Sequence, residues 1–332
     1  MKAVIIDRFG GPEQLQLREL PKPLPAAGEA LVEVESAGVN FGDVMIRSGA
    51  AGLPGAENLV LGSEAAGWIA AVGTGVDTAL LGQRVFAAPF AVGRITGGYT
   101  SHLVLPAEGV FVLPDAIAFD QAVAVGVAGL AALELSKAVP VAGRSVLIHS
   151  AAGGVGHLLA QLVAPQAPAH LVASVGDPRK AEALASIGIR SVVSTHSDWV
   201  AGFMAMTEGK SPDVIFDAIG GTVSQEGLAA LARGGHFVAY GGASGDYAEV
   251  SKDAMPAFVM AGQTLVGYSM VPMLSRADTT DILRTHFATL HNLIIDGSLT
   301  VHIGHRFSLD EAAGAHRLLE SRGSNGKIIL KP

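Results

Sequence analysis

The sequence predicts an α/β protein in which a doubly wound parallel sheet is inserted into a β-rich domain. Three observations lead there. From about residue 122, apolar β-branched runs alternate with helical stretches, the pattern of a parallel sheet with helical crossovers. Within that region an apolar strand breaks into a glycine turn and then a helix, over residues 145–163. The last apolar run, 326–330, is strand-like again and is expected to fold back onto the first domain.

The glycine turn carries most of the functional information. Ser145, Val146, Leu147, Ile148 and His149 lead into Ser150, Ala151, Ala152, Gly153, Gly154, Val155 and Gly156, and 157–163 then reads as helix. A turn of this kind lets backbone approach a pyrophosphate closely, and the helix start offers free N–H groups and the positive end of its dipole. Gly153 and Gly156 fit the second and third places of a dinucleotide fingerprint, with Ala151 in the first. Small residues also serve ordinary strand-to-helix packing, and it is the flanking strand and helix that favour a cofactor. The next strand, 170–175, ends at Val175 where an acid for NAD ribose hydroxyls is expected, and Arg179 and Lys180 follow. That combination favours the extra phosphate of NADPH; the alternative reading of the two cations is a solvated helix start, with Asp177 as N-cap and Pro178 at the first helical position.

Composition bounds the rest. At 332 residues, with 49% hydrophobic residues and 42 glycines, the chain is long enough for two domains and suits an α/β protein rich in tight turns. A net charge of −8 speaks against general nucleic-acid binding. There is no cysteine, so disulfides and cysteine-ligated zinc are excluded. The N-terminus meets charges at Lys2, Asp7 and Arg8, too soon for a signal peptide, and the most apolar run, 122–133, is too short to span a membrane and reads as a buried helix. A cytoplasmic enzyme is the expectation.

Along the chain, 1–121 is strand-and-turn material: 31–36 alternates with period two, and 21–25, with three prolines, is an extended connector. Residues 122–274 form the cofactor domain, with strands around 192–193, 214–217, 236–240 and 264–268. Residues 280–295 carry a helical stripe of Ile282, Leu283, Phe287, Leu290 and Leu293, and 275–332 completes the first domain.

These segments, together with Ala37, Gly38, Val39, Asn40 and Asp43, 62–67, 82–85, 97–99, 149–156, 320–322 and Gly326 with Lys327, resemble over nearly the whole chain the zinc-free, zeta-crystallin-like quinone oxidoreductases of the medium-chain dehydrogenase/reductase superfamily. The resemblance implies a Rossmann NADP-binding domain inserted in a GroES-like catalytic domain, and metal-free, NADPH-dependent reduction of a quinone or another electron-poor alkene or carbonyl. In the similar zinc alcohol dehydrogenases a cysteine stands near Asn40 and a histidine near Ser63. By the resemblance, the turn 153–156 meets the pyrophosphate, Lys180 and Arg322 the 2′-phosphate, and Asn40 the nicotinamide and substrate. Tyr240, Gly241, Gly242, Ala243 and Ser244 match a turn near the nicotinamide. Three positions depart from the family: Thr195 replaces a common tyrosine of the phosphate pocket, Ala131 a threonine near the nicotinamide ribose, and Met45 a substrate-pocket tyrosine.

Among chemical groups, Asn40 is read as orienting either the carboxamide or the substrate oxygen, or as capping a loop. Ser244 and Tyr99 are candidate donors to a reduced oxygen, Tyr99 with turn packing as its main role. Asp43 is expected to accept backbone N–H groups at a helix start. Glu64, in an apolar stretch, needs a partner, for which Arg47 is the candidate. His149 is expected to pack, and His302 and His305 are poor co-ligands on opposite strand faces. The substrate expected is a quinone; the alternatives are an ene reductase acting on α,β-unsaturated carbonyls or thioesters, and a non-catalytic NADPH-binding redox sensor. A homodimer through the strand 264–268 is expected from its unpaired edge.

Overall fold

The computed structural model describes residues 1–193 and 199–332; Thr195 lies outside the described residues. The chain forms two compact units, Met1–Leu130 with Val271–Pro332, and Ala131–Met270. The first unit opens with β1 (Lys2–Ile6), β2 (Gln16–Glu19), β3 (Glu29–Val39), α1 (Phe41–Ser48), β4 (Leu59–Val60), β5 (Ala65–Val72), β6 (Arg84–Ala87), β7 (His102–Pro106), β8 (Val110–Val112) and α2 (Phe119–Val125). After α3 (Val127–Leu135), the second unit runs β9 (Ser145–Ile148), α4 (Gly156–Val163), β10 (His170–Val175), α5 (Ala181–Ala185), β11 (Arg190–Val193), α6 (Trp199–Met206), β12 (Val214–Asp217), α7 (Gly221–Ala230), β13 (His236–Ala239), α8 (Met255–Ala261) and β14 (Thr264–Gly267). The chain then returns to the first unit with α9 (Val271–Leu274), α10 (Thr279–Ile295), β15 (Ile303–Ser308), α11 (Ala312–Glu320) and β16 (Lys327–Lys331).

The second unit holds a six-stranded sheet of order β11-β10-β9-β12-β13-β14, parallel throughout. Its strands are continuous apolar runs: all four residues of β9 and of β12 are buried, as expected of a sheet covered on both faces. Leu147, Val172, Trp199, Phe203, Ile215 and Phe237 form the core against it. The connection after β9 goes to β10 on one side, and the chain later resumes at β12 on the other, so the strand order reverses at β9, beside the glycine turn.

In the first unit a seven-stranded sheet runs β15-β16-β3-β5-β6-β8, with β7 also paired to β3. The alternation read at 31–36 holds on β3, where Glu33 and Glu35 face out and Val32, Val34 and Ser36 are buried. The C-terminal strand β16 lies antiparallel on β3, matching Ile328 with Val39 and Leu330 with Ala37. Both ends of the chain therefore share one core, with Val4, Ile6, Val39, Leu61, Tyr99, Ile328 and Leu330 buried together.

The apolar run read as one buried helix is two. The chain breaks at Gly126 (φ −56°, ψ −105°), between α2 and α3. A Cβ at Gly126 would lie 2.1 Å from Glu64 Oε2 and 2.6 Å from Phe86 Cζ, so the break is where the helix meets a buried carboxylate. The expected boundary at 121/122 cuts into α2. In the structure α2 packs on β3 and β5, and its Asp120 accepts from Ser36 Oγ (2.6 Å), Lys331 Nζ (2.9 Å) and Arg306 Nε (2.7 Å), so the division falls later, after Leu130. Among the described residues no helix is long and apolar enough to cross a membrane.

Candidate active site

In the second unit the expected cofactor residues gather along one edge of the sheet, beyond the carboxyl ends of its parallel strands, where ligands of open α/β sheets bind. Ala152, Gly153, Gly154 and Val155 form the turn between β9 and α4, and Gly156 opens the helix. Ser150 takes a left-handed φ of +54°, and Ala151 donates its N–H to Ser174 O (3.0 Å), pinning the turn to β10. A Cβ on Gly156 would sit 2.5 Å from Ser150 O and 2.6 Å from Ala151 Cα, so only glycine lets the helix start this close to the strand. A Cβ on Gly153 would lie 3.2 Å from Ser150 O, tighter than an ordinary contact, so this position of the turn also favours glycine. The turn fits a dinucleotide pyrophosphate.

Past Val175, the Asp177 carboxylate accepts from Arg179 N (2.9 Å) and pairs with the Arg179 guanidinium (2.5 Å). The bonds from Arg179 hold the Asp177 carboxyl down to about 2. Arg179 is thus engaged within its own turn, whereas burial lowers the half-buried Lys180, opposed by Asp177. After β13, Ala243 N donates to Ala218 O (3.0 Å) and Ser244 N to Ile219 O (2.8 Å), which anchors the 241–244 turn beside the end of β12. A Cβ on Gly241 would lie 2.9 Å from Ala218 O. Ser244 is exposed, and its hydroxyl bonds Asp246 O (3.2 Å) and accepts from Asp246 N (3.3 Å) in its own turn.

The first unit contains a buried polar cluster at the N-terminus of α1. Asn40 is the N-cap of that helix and is half-buried. Lys327 Nζ donates to Asn40 Oδ1 (2.6 Å) and to Glu64 Oε1 (2.7 Å). Asn40 Nδ2 donates to Glu64 Oε1 (2.7 Å) and Ser63 Oγ (3.1 Å), and Glu64 Oε2 takes the Val127 N–H (2.6 Å) freed by the break at Gly126. Glu64 is fully buried and Lys327 only 2% exposed, so each charge is compensated by the other and by hydrogen bonds. A lysine only donates and a carboxylate only accepts, which fixes the amide: Oδ1 faces Lys327 and Nδ2 faces Glu64.

Below this cluster, Asp43 Oδ2 accepts from Asn40 N (2.8 Å) and from Tyr99 OH (3.0 Å), and the Tyr99 oxygen lies 3.1 Å from His316 Nε2. All three side chains are buried. Burial raises the Asp43 carboxyl to about 6, opposed by the Asn40 N–H and Lys327 and reinforced by Glu64. Burial raises Tyr99 well above its ordinary range, with Asp43 adding to it, and burial with Arg47 pushes His316 down to about 3, so the imidazole is neutral.

The partner expected for Glu64 needs correcting. Arg47 pairs instead with Glu320 on α11 (2.5 Å), because it sits at the far end of α1 and reaches α11, whereas the pairing of β16 with β3 carries Lys327 to Asn40. Lys327 and Ser63 received no role from the sequence; the available signal was a lysine heading the apolar run 328–330. Asp43 caps the helix start as expected, and Tyr99 is buried rather than presented to a ligand. Arg322 follows α11, exposed and with φ +57°. His149 packs edge-on to Trp199 (5.0 Å between ring centres) with Nδ1 2.7 Å from Ser174 Oγ. Among the described residues no group of three His, Cys, Asp or Glu side chains could hold a metal.

This architecture is that of the medium-chain dehydrogenases: residues 26–115 match the alcohol dehydrogenase GroES-like domain, and 187–330 the zinc-binding dehydrogenase domain. The chain is 34% identical to a quinone oxidoreductase of Pseudomonas aeruginosa, covering 100% of this chain and 99% of that one. It is also similar to the crystal structure of Escherichia coli quinone oxidoreductase complexed with NADPH, with TM-score 0.88, 30% identity and full coverage of both chains. A third relative is a phenolphthiocerol/phthiocerol polyketide synthase of Mycobacterium tuberculosis, 33% identical over 98% of this chain but only 14% of that protein. The chain belongs to the quinone oxidoreductase family of the medium-chain dehydrogenase/reductase superfamily and is an oxidoreductase.

The buried Asp43 carboxyl makes stability depend on pH. In the folded protein it keeps its proton up to about pH 6, whereas the unfolded chain releases it near 3.8, so the folded state binds more protons between these values and loses stability as pH rises through them. Asp43→Asn removes this loss. Relative to the parent, the variant is expected to gain up to about 3 kcal/mol in denaturant unfolding between pH 4 and pH 7. A difference that stays flat across that range would contradict the assignment.

Proposed function

We propose that this protein reduces a quinone by two electrons, with NADPH as reductant and no metal. The observation that carries the reading is the polar cluster of the first unit. Asn40 and Ser63, at the positions where zinc relatives resemble this chain but bear metal ligands, are hydrogen-bonded to each other, with the Lys327 ammonium 2.6 Å from Asn40 Oδ1. An amide, a hydroxyl and an ammonium are a poor donor set for zinc. A quinone suits such a site, because its reduced oxygens can take protons from solvent.

When bound, NADPH supplies the hydride. In this reading the turn 153–156 holds the pyrophosphate, and Lys180 meets the 2′-phosphate. Gly241, Gly242 and Ala243 line the nicotinamide end, with Ser244 beside them. Asn40 has both amide protons committed, so Oδ1 remains as an acceptor, suited to the carboxamide N–H of the nicotinamide. The relatives crystallised with NADPH and named quinone oxidoreductases support the reading. The match to a polyketide synthase favours one alternative, reduction of an enone or enoyl thioester by the same hydride geometry.

The protein is also proposed to be a soluble, cytoplasmic homodimer. Strand β14 ends the sheet, with Leu265 39%, Val259 65% and Met260 76% exposed beside it. The N–H groups of Thr264 and Tyr268 point to β13, so by alternation those of Leu265 and Gly267 point outward and are free to pair with a second copy.

Two measurements check these readings. NADPH oxidation followed over a panel of quinones and enones, with and without chelator, is expected to show quinone turnover untouched by chelation. NADPH should be favoured at least about tenfold over NADH, a preference reduced in Lys180→Ala, since a charge-assisted contact contributes about 1.5–3 kcal/mol. Turnover of enones alone, or equal efficiency with both cofactors, would overturn it. For the dimer, light scattering should give twice the chain mass, and Leu265→Pro, which removes an outward donor, should give a folded monomer; a monomeric parent would refute it.

A further inference from the structure

The fixed amide of Asn40 has a consequence for Ser63. Both Nδ2 protons are used, one toward Glu64 Oε1 (2.7 Å) and one toward Ser63 Oγ (3.1 Å), so Asn40 has no donor left for a substrate oxygen. Lys327 and Glu64 are buried, and the buried Tyr99 hydroxyl is turned to Asp43. Ser63 is half-buried, and among the described residues its Oγ has one hydrogen-bond partner, the amide that donates to it. A hydroxyl that accepts one bond still carries its own proton to donate.

We infer that Ser63 is a catalytic residue, whose hydroxyl donates to the substrate oxygen that gains charge as hydride arrives. The inference rests on the quinone reading above. Hydride arriving at a ring carbon conjugated to the quinone carbonyl forms a C–H bond there and pushes the π pair onto that oxygen. The enolate then loses a proton from the same carbon to solvent and takes one proton from solvent at each oxygen to give the hydroquinone, while Ser63 keeps its own proton throughout. The donor is reinforced from behind. The Lys327 ammonium polarises the Asn40 carbonyl, which makes the amide protons more acidic, and one of these polarises the Ser63 oxygen, so the chain from Nζ to the hydroxyl proton runs in one direction. The serine hydroxyl thereby supplies charge stabilisation at the place where a zinc relative resembling this chain would use its metal.

The test uses the full chain with two probes, 1,4-benzoquinone for turnover and 4-nitrophenol, in the presence of NADP⁺, for binding of an aryl oxyanion read from the phenolate absorbance. Ser63→Ala is expected to lower kcat by about 100-fold, as loss of one oxyanion donor does, with KM for NADPH little changed and phenolate binding weakened at least about tenfold. Ser63→Thr, which retains the hydroxyl, should restore most of both. Unchanged kcat and unchanged phenolate affinity in Ser63→Ala would overturn the role while leaving the quinone reading intact, and so would failure of the parent to bind the phenolate. If the parent turns over no quinone yet loses phenolate affinity in Ser63→Ala and regains it in Ser63→Thr, the role of Ser63 stands and the quinone reading falls.

Discussion

The Glu64 carboxylate is the constraint on which the first unit depends. A buried charge is tolerated only when its lone pairs are met, and here three donors converge on it: the Lys327 ammonium, the Asn40 amide and the Val127 backbone N–H. Each donor comes from a different part of the chain. The space they need is cleared by glycines, since a Cβ on Gly38 would lie 2.2 Å from Oε1, one on Gly126 2.1 Å from Oε2, and one on Gly98 2.7 Å from the Glu64 carbonyl oxygen. The break between α2 and α3, the absence of a side chain on β3 at Gly38, and the return of β16 beside Asn40 all answer to one carboxylate.

That carboxylate also sets the chemistry available at the surface of the cluster. By accepting both from Lys327 and from the Asn40 amide, it fixes which end of the amide faces which way, and so leaves Asn40 an acceptor and Ser63 a donor. Asp43, one helical turn on, holds the Asn40 backbone N–H and is itself anchored by Tyr99 and through it His316. The two carboxylates divide the work between positioning the side chain and positioning the main chain.

Much of the fold was legible because its signals are local. The period of two on β3, the continuous apolar strands of the parallel sheet, and the Gly156 turn each follow from short-range sterics and burial, and the structure shows them as expected. The α2/α3 break was not legible, because the Val127 N–H at the break is taken by the carboxylate of Glu64, 62 residues before Gly126 in the sequence and invisible to periodicity. The same holds for the Glu64 partner: the sequence pointed to Arg47 alone, and it is the register of β16 against β3 that brings Lys327 there instead. Ser63 could not be singled out from sequence, since its donor capacity depends on the orientation of the Asn40 amide.

The most direct measurement of the account is a double-mutant cycle on Glu64 and Lys327 by denaturant unfolding. Lys327→Met alone leaves a buried carboxylate short of its cation and is expected to cost about 3–5 kcal/mol, with a similar loss for Glu64→Leu. The double substitution should cost less than the sum by about 2 kcal/mol or more, the coupling found for contacting buried groups. Additivity of the two losses, within about 0.5 kcal/mol, would show that the pair does not organise this site.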